Sequence, residues 1–122
     1  MPHVGVDIVK ITRIETAISD WGECFLRRVY TDTELELYRD HAPSLASRFA
    51  AKEAVIKALG GLSRGFSWRE IEILSDPWGK PLVNLYGSVL DKARDLGVPG
   101  FDISLSDCEE YAVAFVVGDK KL

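Results

Sequence analysis

Residues 45–59, LASRFAAKEAVIKAL, form the most regular segment of the chain and decide the fold prediction. Alanine, leucine, lysine and glutamate are strong helix formers, so this segment predicts an α-helix. Gly60 and Gly61 follow directly, as is typical of a helix C-terminus. A chemical role for the polar residues of this helix would need its alanine-rich surface to let another backbone or a ligand come close.

Strands and shorter helices are predicted on both sides of this segment. Period-two patterns rich in β-branched and aromatic residues predict strands over 2–9, 67–75, 81–86, 101–106 and 111–117. Helices are predicted over 11–22, 31–39 and 88–97, with a loop at 41–45. The helix at 31–39 opens on Thr31-Asp-Thr-Glu34, a capping-box pattern. Helices cluster early and hairpins come late, which predicts an α+β fold: a mainly antiparallel sheet with helices packed on one face.

The composition is that of one ordinary globular domain. The chain has 122 residues, of which 47% are hydrophobic and 28% charged, and residues 1–122 fit a single domain of common size. A chain this short leaves much of its surface in water. We therefore expect a deep substrate site to need a second subunit.

Charge and cysteine content exclude some classes of protein. A net charge of −4 and a pI near 5.1 argue against nucleic acid as the main partner, because phosphate neutralisation needs a dense basic face. Cys24 and Cys108 are too few for a disulfide framework. The N-terminal residues do not resemble a signal peptide, and no apolar run reaches membrane-spanning length. We expect a cytoplasmic protein with no membrane association.

Asp7 is the first anomaly in the pattern. This acid lies in the middle of GVDIV, residues 5–9, where a buried strand favours an apolar residue. A buried carboxylate is costly unless it is paired, hydrogen-bonded or bound to a metal. Alternatively, strand alternation turns Asp7 to solvent at an edge, or Asp7 caps a turn.

Glu53 and Lys57 lie four residues apart on the central helix and therefore share a face. One interpretation is a surface ion pair, which contributes roughly 0.3–0.5 kcal/mol. The other is a site in which Glu53 binds a cation and Lys57 contacts anionic oxygens. The pair alone does not decide between them.

Four motifs occur together and in one order. They are GVDIV at 5–9, RFAAKEAVIKALG at 48–60, the turn Gly79-Lys80-Pro81, and ISLS at 103–106. In this combination the chain resembles the holo-acyl-carrier-protein synthase family, which comprises small 4′-phosphopantetheinyl transferases. The resemblance covers essentially the whole chain. It implies transfer of 4′-phosphopantetheine from coenzyme A to a serine of an apo acyl carrier protein, with release of 3′,5′-adenosine bisphosphate.

The resemblance also implies roles for individual residues. Asp7 and Glu53 match the two acids that hold Mg²⁺ on the coenzyme A pyrophosphate. Lys57 matches a lysine that contacts phosphate near the reacting centre, which makes Glu53 and Lys57 the catalytic candidates. The turn at 79–81 matches one that lines the nucleotide portion of coenzyme A. The attacking serine needs a base, and either a metal-bound water or Glu53 could serve.

Four further residues lie in or next to the matching motifs. Arg48 and Ser106 are expected to contribute to the coenzyme A site, Arg48 as a phosphate contact or else as a solvated charge. For Lys52 the same two roles are open, and we expect the solvated charge. The family usually has a histidine after the Ser-x-Ser of the penultimate strand, and here that position is Asp107.

An ionised aspartate repels a phosphate at close range. Asp107 could turn away and cap the hairpin, which is the explanation we favour. It could instead add a metal ligand, or mark a degenerate relative that binds coenzyme A or carrier proteins without turnover. That binding module is the alternative to the enzyme. A structural domain without a ligand would leave Asp7, Glu53 and Lys57 unexplained.

The resemblance finally implies partners. Arg13, Arg27 and Arg28 lie where the family docks its acidic acyl carrier protein, and basic side chains there would guide such a partner. The alternative is three ordinary surface arginines. Members of this short branch are typically homotrimers with active sites between protomers, which agrees with the size argument.

Overall fold

The computed structural model describes residues 2–62 and 65–119. The elements follow in chain order: β1 (His3–Lys10), α1 (Ile11–Trp21), α2 (Glu23–Val29), α3 (Asp32–Tyr38), α4 (Ala42–Ala58), a 3-10 turn (Trp68–Glu70), β2 (Ile71–Ser75), β3 (Pro81–Leu85), α5 (Gly87–Asp95), β4 (Asp102–Asp107) and β5 (Tyr111–Gly118). None of the helices in this part of the chain combines the length and apolar character needed to cross a bilayer.

The strands form two antiparallel sheets in the described part of the chain. One has three strands in the order β1-β5-β4, and the other is the hairpin β2-β3. Helix α4 packs on one face of the three-stranded sheet, against β1 and β5. The predicted α+β class with antiparallel pairing is therefore confirmed.

Two sequence predictions for local structure are wrong. The loop predicted at 41–45 is the start of α4: the His41 ring accepts a hydrogen bond from the Ser44 amide, and a proline is tolerated in the first turn. The strand predicted from residue 67 begins only at Ile71, because Ser67 and Glu70 form a capping box that closes a 3-10 turn. Helix α2 was not predicted.

The capping box at the start of α3 is confirmed. The Glu34 amide donates to the Thr31 hydroxyl over 3.1 Å, and the Thr31 amide donates to Glu34 Oε1 over 2.8 Å. Such a glutamate is ordinarily at the surface, whereas Glu34 is completely buried. Its carboxylate therefore has further partners, which are described below.

Helix α4 approaches β1 so closely that only glycine fits between them. A Cβ atom on Gly5 would lie 1.9 Å from the carbonyl oxygen of Ala54. Ala50, Ala51 and Ala54 are all completely buried. The alanine-rich surface of α4 therefore lets a second backbone come close, and that backbone is β1.

The other face of the three-stranded sheet is apolar and exposed. Val4, Val6 and Ile8 of β1 and Phe115 of β5 are 47–62% exposed. Val6 and Phe115 are direct cross-strand partners. We call the side chains of Val4, Val6, Ile8 and Phe115 the outer sheet face.

Candidate active site between strand β1 and helix α4

Asp7 faces the helix side of the sheet and not the solvent. It pairs with Ala114 in the register, and its side chain is 12% exposed. Lys57 Nζ donates to Asp7 Oδ1 over 2.9 Å and to the Val6 carbonyl over 3.1 Å. The interpretation of Asp7 as a solvent-facing edge residue is therefore wrong, because the approach of α4 encloses the carboxylate.

Lys57 forms its ion pair with Asp7. Among the described residues no salt bridge joins Lys57 to Glu53, so the simple pair along α4 is not formed. The hydrogen bond from Lys57 to Asp7 raises the pKa of Lys57, and the charges of Asp7 and Glu53 act in the same direction. The lysine is therefore a cation that remains exposed to an incoming anion.

Glu53 lies half-buried beside this pair. Its pKa is raised, first by burial and then by the negative charge of Asp7, while Arg13 and Lys57 oppose the shift. The negative charge of Asp7 thus disfavours ionisation of Glu53, and a cation placed between the two carboxylates would relieve that repulsion. Strand β1 supplies one of them and helix α4 the other.

The donor set fits a hard divalent cation. Mg²⁺ is commonly held by one or two carboxylates, with waters and substrate phosphates completing its octahedron. Within residues 2–62 and 65–119, no group of three or more histidine, cysteine, aspartate or glutamate side chains converges. Asp107 therefore does not form a third member of a cluster with Asp7 and Glu53 in the described part of the chain.

Lys52 is not solvated, so that prediction is wrong. Its side chain is completely buried. Lys52 Nζ donates to Glu34 Oε1 over 2.7 Å, to the Trp68 carbonyl over 3.3 Å and to the Ile71 carbonyl. Residues distant in the chain pack over this side of α4, and the helical pattern by itself does not contain that information.

Arg48 is buried as well, so its interpretation as a solvated charge is also wrong. Its side chain stacks on Tyr38, with Cζ 3.8 Å from the ring centroid, and donates to Ser47 and Ser75 over 3.2 Å each. Its Nε atom is buried without a hydrogen-bond partner in the described part of the chain. No carboxylate there forms a salt bridge with this guanidinium, so its charge is not neutralised by a side chain of the described residues.

The turn between β2 and β3 is held by its own hydrogen bonds. Asp76 accepts from the amides of Trp78 and Lys80 over 2.8 Å each, and the Asp76 amide donates to the Lys80 carbonyl over 2.8 Å. Gly79 adopts a φ of 84°, which favours glycine. The turn therefore presents Lys80 to solvent in a fixed backbone conformation.

A single subunit does not bring all of the predicted residues together. Arg48 lies nine residues before Lys57, roughly 14 Å along the axis of α4. Ser106 pairs with Val113 and lies on the side of the outer sheet face, away from Asp7. The described chain thus carries Asp7, Glu53 and Lys57 in one place and the remaining predicted contacts in others.

An apolar groove beside Glu53 was missed by the sequence analysis. It encloses about 390 Å³ and is lined by Trp21, Cys24, Phe25, Arg28, Val29, Phe49 and Trp68. Arg13 lies over the Phe49 ring at 5.9 Å, and Phe49 stacks on Trp68. The available signal was Phe49, which lies four residues before Glu53 and therefore one helical turn away.

Only two of the three predicted docking arginines belong to this groove. Arg28 lines it and Arg13 borders it, whereas Arg27 bonds to Glu23 over 3.0 Å on another side of α2. Arg27 lies instead among Asp32, Glu36 and Arg39. Consecutive residues on a helix diverge by about 100°, which separates Arg27 from Arg28.

Asp107 is the last residue of β4 and is exposed. In the described part of the chain its side chain forms no hydrogen bond, and the hairpin closes through the Cys108 amide and the Tyr111 carbonyl at 2.9 Å. A side-chain cap by Asp107, which we favoured from the sequence, is therefore absent there.

The fold and this geometry can be compared with known proteins. A family model described as the 4′-phosphopantetheinyl transferase superfamily matches residues 3–116. The holo-[acyl-carrier-protein] synthase of Dehalococcoides mccartyi is 55% identical over 117 residues, which cover 96% of this chain and 98% of that protein.

Solved structures agree with the sequence relatives. Holo-[acyl-carrier-protein] synthase of Helicobacter pylori, in complex with coenzyme A, has a TM-score of 0.85 at 33% identity, covering 95% of this chain and 99% of that one. The Neisseria meningitidis synthase has a TM-score of 0.85 at 39% identity, covering 97% and 98%.

The chain therefore belongs to the 4′-phosphopantetheinyl transferase superfamily. Within that superfamily, the resemblance to the holo-acyl-carrier-protein synthase family is confirmed, and the chain is an enzyme of that kind.

Proposed function

We propose that the chain transfers 4′-phosphopantetheine from coenzyme A to a serine of an apo acyl carrier protein, with Mg²⁺ held by Asp7 and Glu53. The observation that carries this proposal is the convergence of Asp7, Glu53 and Lys57 between β1 and α4. A two-carboxylate site with an adjacent exposed ammonium suits a pyrophosphate group.

The reaction needs a base, a phosphate contact and a neutralised leaving group. The serine oxygen bonds to the β-phosphorus of coenzyme A as the bond from that phosphorus to the bridging oxygen breaks, which releases 3′,5′-adenosine bisphosphate. Bound Mg²⁺ supplies charge neutralisation on the pyrophosphate oxygens. Glu53 accepts the serine proton, and Lys57 stabilises the negative charge that develops on the phosphate oxygens.

The nucleotide half of coenzyme A is assigned to Arg48 and to Gly79, Lys80 and Pro81. The Arg48 guanidinium has no counter-charge among the described residues, and the turn presents Lys80 to solvent. These groups lie at the other end of α4 from Lys57. We therefore assign them to the coenzyme A bound at the Asp7 site of a neighbouring subunit, with Ser106 contributing from its own surface.

That arrangement requires an oligomer, and we propose a homotrimer. The outer sheet face exposes four large apolar side chains on adjacent strands. A contiguous exposed patch of this kind marks an interaction surface. Ser106 lies on the same side of the sheet, so packing of subunits through this face would bring Ser106 close to a neighbour.

An acidic acyl carrier protein is the proposed second substrate. The groove of about 390 Å³ offers aromatic side chains for an apolar contact, and Arg13 and Arg28 add positive charge at its border. Because Arg27 bonds to Glu23 on another side of α2, we do not assign it to docking. The groove borders Glu53 through Phe49, as delivery of a serine to that carboxylate requires.

The chain is proposed to work as one cytoplasmic domain, without nucleic acid or membrane as a partner. The acidic composition supports the absence of a nucleic-acid partner. The carrier could belong to fatty-acid, polyketide or peptide synthesis, and transfer assays with one carrier of each kind would distinguish these.

Intact-mass measurement of a carrier protein tests the function. We expect an apo carrier to gain one phosphopantetheinyl group when incubated with the chain, coenzyme A and Mg²⁺, and to gain none with Glu53→Gln. If several carriers gain nothing while coenzyme A still binds, the binding module replaces the enzyme.

The position where the family usually has a histidine, here Asp107, provides a second test of the proposed function. We expect Asp107→His to raise the transfer rate, because it removes a negative charge that repels phosphate and adds a donor. Asp107→Asn is the matched control that removes the charge alone.

A further inference from the structure

The edge of β2 that faces away from β3 is bonded by side chains instead of a strand. The Ile71 carbonyl accepts from Lys52 Nζ, and the Ile73 amide donates to Glu34 Oε2 over 2.8 Å. A third strand would use these same two backbone groups. Among the described strands, β2 has only β3 as a neighbour, so Lys52 and Glu34 take the place of a second one.

Lys52 and Glu34 form an ion pair at 2.7 Å, and both side chains are completely buried. The pair is fully bonded: Lys52 also reaches the Trp68 carbonyl, and Glu34 Oε1 also accepts from the Thr31 amide. Replacing such a pair with packed apolar residues is often neutral or stabilising. Stability alone therefore does not explain why two charges lie here.

The element that this ion pair contacts, the β2–β3 hairpin, is a continuous hydrogen-bonded unit. The hairpin β2–β3 runs in unbroken register from Ile71 opposite Leu85 to Ser75 opposite Pro81, and the hydrogen-bonded turn at 76–80 follows directly. A displacement at Ile71 and Ile73 would therefore move the turn as well. Arg48 donates a hydrogen bond to Ser75 at the far end of the strand. Helix α4 is therefore bonded to both ends of β2, through Lys52 at Ile71 and through Arg48 at Ser75.

The same helix carries the catalytic carboxylate. Lys52 and Arg48 lie four residues apart on α4, and both donate hydrogen bonds to β2. Glu53 and Lys57 lie on the side of α4 that faces β1. The position of the turn relative to Glu53 within a subunit is thus determined by one helix and the buried pair.

We propose that Lys52 and Glu34 are positioning residues, which dock the β2–β3 hairpin on α4 so that the turn at 79–81 is presented for the nucleotide half of coenzyme A. This inference rests on the proposed role of that turn. The Lys52–Glu34 pair then determines the affinity for coenzyme A. It has little effect on the rate of the chemical step or on the binding of the carrier.

The test uses the double variant Glu34→Gln/Lys52→Met, which removes both charges while nearly conserving volume. Val116→Ala is the control: it destabilises the core in β5, away from the hairpin. The two readouts are amide hydrogen exchange along the full chain and calorimetric binding of coenzyme A, and neither requires turnover.

We expect amides of β2 and β3 in the double variant to exchange at least about tenfold faster relative to those of β1, β4 and β5. The Kd for coenzyme A should rise about tenfold, with kcat and the KM for the carrier within about twofold. The control should accelerate exchange without this preference for the hairpin. Should the double variant unfold, Glu34→Gln alone takes its place with the same readouts.

Exchange that accelerates evenly over all strands, or an unchanged Kd beside a loosened hairpin, would overturn the inference. A wild-type protein that transfers nothing would contradict the proposed function alone, because the exchange comparison still decides whether the pair docks the hairpin.

Discussion

Lys57 Nζ lies 2.9 Å from Oδ1 of Asp7, fifty residues away in the chain. The contact exists because α4 and β1 pack backbone against backbone at Gly5 and Ala54. The hydrogen bond to Asp7 raises the pKa of Lys57, which keeps this exposed side chain an ammonium. Packing thus places a cation and a carboxylate side by side, with Glu53 as the second carboxylate.

Lys57→Met should lower kcat strongly. Loss of a donor that stabilises developing charge typically costs about 10²–10³ in kcat. The measurement is transfer to a carrier at saturating coenzyme A, by intact mass over time. Lys10→Met, an exposed lysine of β1, is the matched control and should keep wild-type kcat. Equal rates for the two variants would remove Lys57 from the mechanism.

Gly5→Ala should destabilise the fold and disturb the site together. The added methyl group would meet the backbone of Ala54, which cannot rotate away, so either α4 or β1 must shift. We expect a loss of roughly 1–3 kcal/mol or more in the free energy of unfolding.

Urea unfolding measures this loss, and Gly100→Ala provides the comparison. A Cβ atom at Gly100 would meet nothing within 4 Å, so that variant should be close to neutral. If both substitutions are equally mild, the close approach of α4 to β1 is not as described.

Arg13→Glu/Arg28→Glu should weaken the carrier interaction selectively. Each reversal at an exposed border is expected to cost roughly 1 kcal/mol in carrier affinity. In steady-state kinetics the KM for the carrier should rise, while calorimetric binding of coenzyme A is retained.

Arg94→Glu on α5 makes one charge reversal of the same kind outside the groove and should leave the carrier KM unchanged. An equal loss of carrier and coenzyme A binding in the double variant would refute the docking role. An unchanged carrier KM would identify these residues as ordinary surface arginines.

Phe115→Arg should dissociate the proposed trimer, because it places a charge in the centre of the outer sheet face. Light scattering after size exclusion gives the molar mass. Leu37→Arg, at an apolar residue on α3 that is also exposed, should leave the mass unchanged. A wild-type chain that is monomeric and fully active would contradict both the trimer and the shared site.

Asp7, Glu53 and Lys57 could be identified as candidate site residues from the sequence because the signal for each is local. An acid within an apolar strand and a four-residue spacing on a helix are visible without any tertiary information. Their convergence also followed from the family resemblance. The Thr31–Glu34 capping box was predictable for the same reason, since both of its hydrogen bonds lie within four residues.

The burial of Lys52 and Arg48 could not be predicted in this way. Their partners belong to α3, the 3-10 turn and β2, up to 27 residues away, and a helical pattern does not say which elements cover it. The different positions of Arg27 and Arg28 depend likewise on packing. Residues 41–45 were predicted as a loop because histidine, proline and serine are common in loops. The same residue types also suit the N-terminus of a helix, which is where they lie here.

The dependence of the transfer rate on Mg²⁺ concentration tests the central claim most directly. Wild type, Asp7→Asn and the exposed control Asp102→Asn are compared, with EDTA as the zero point. If Asp7 and Glu53 hold the metal, half-saturation in Asp7→Asn shifts upward by about 10–100-fold, while Asp102→Asn follows wild type. Activity that survives EDTA, or an unshifted Mg²⁺ dependence in Asp7→Asn, would contradict the account.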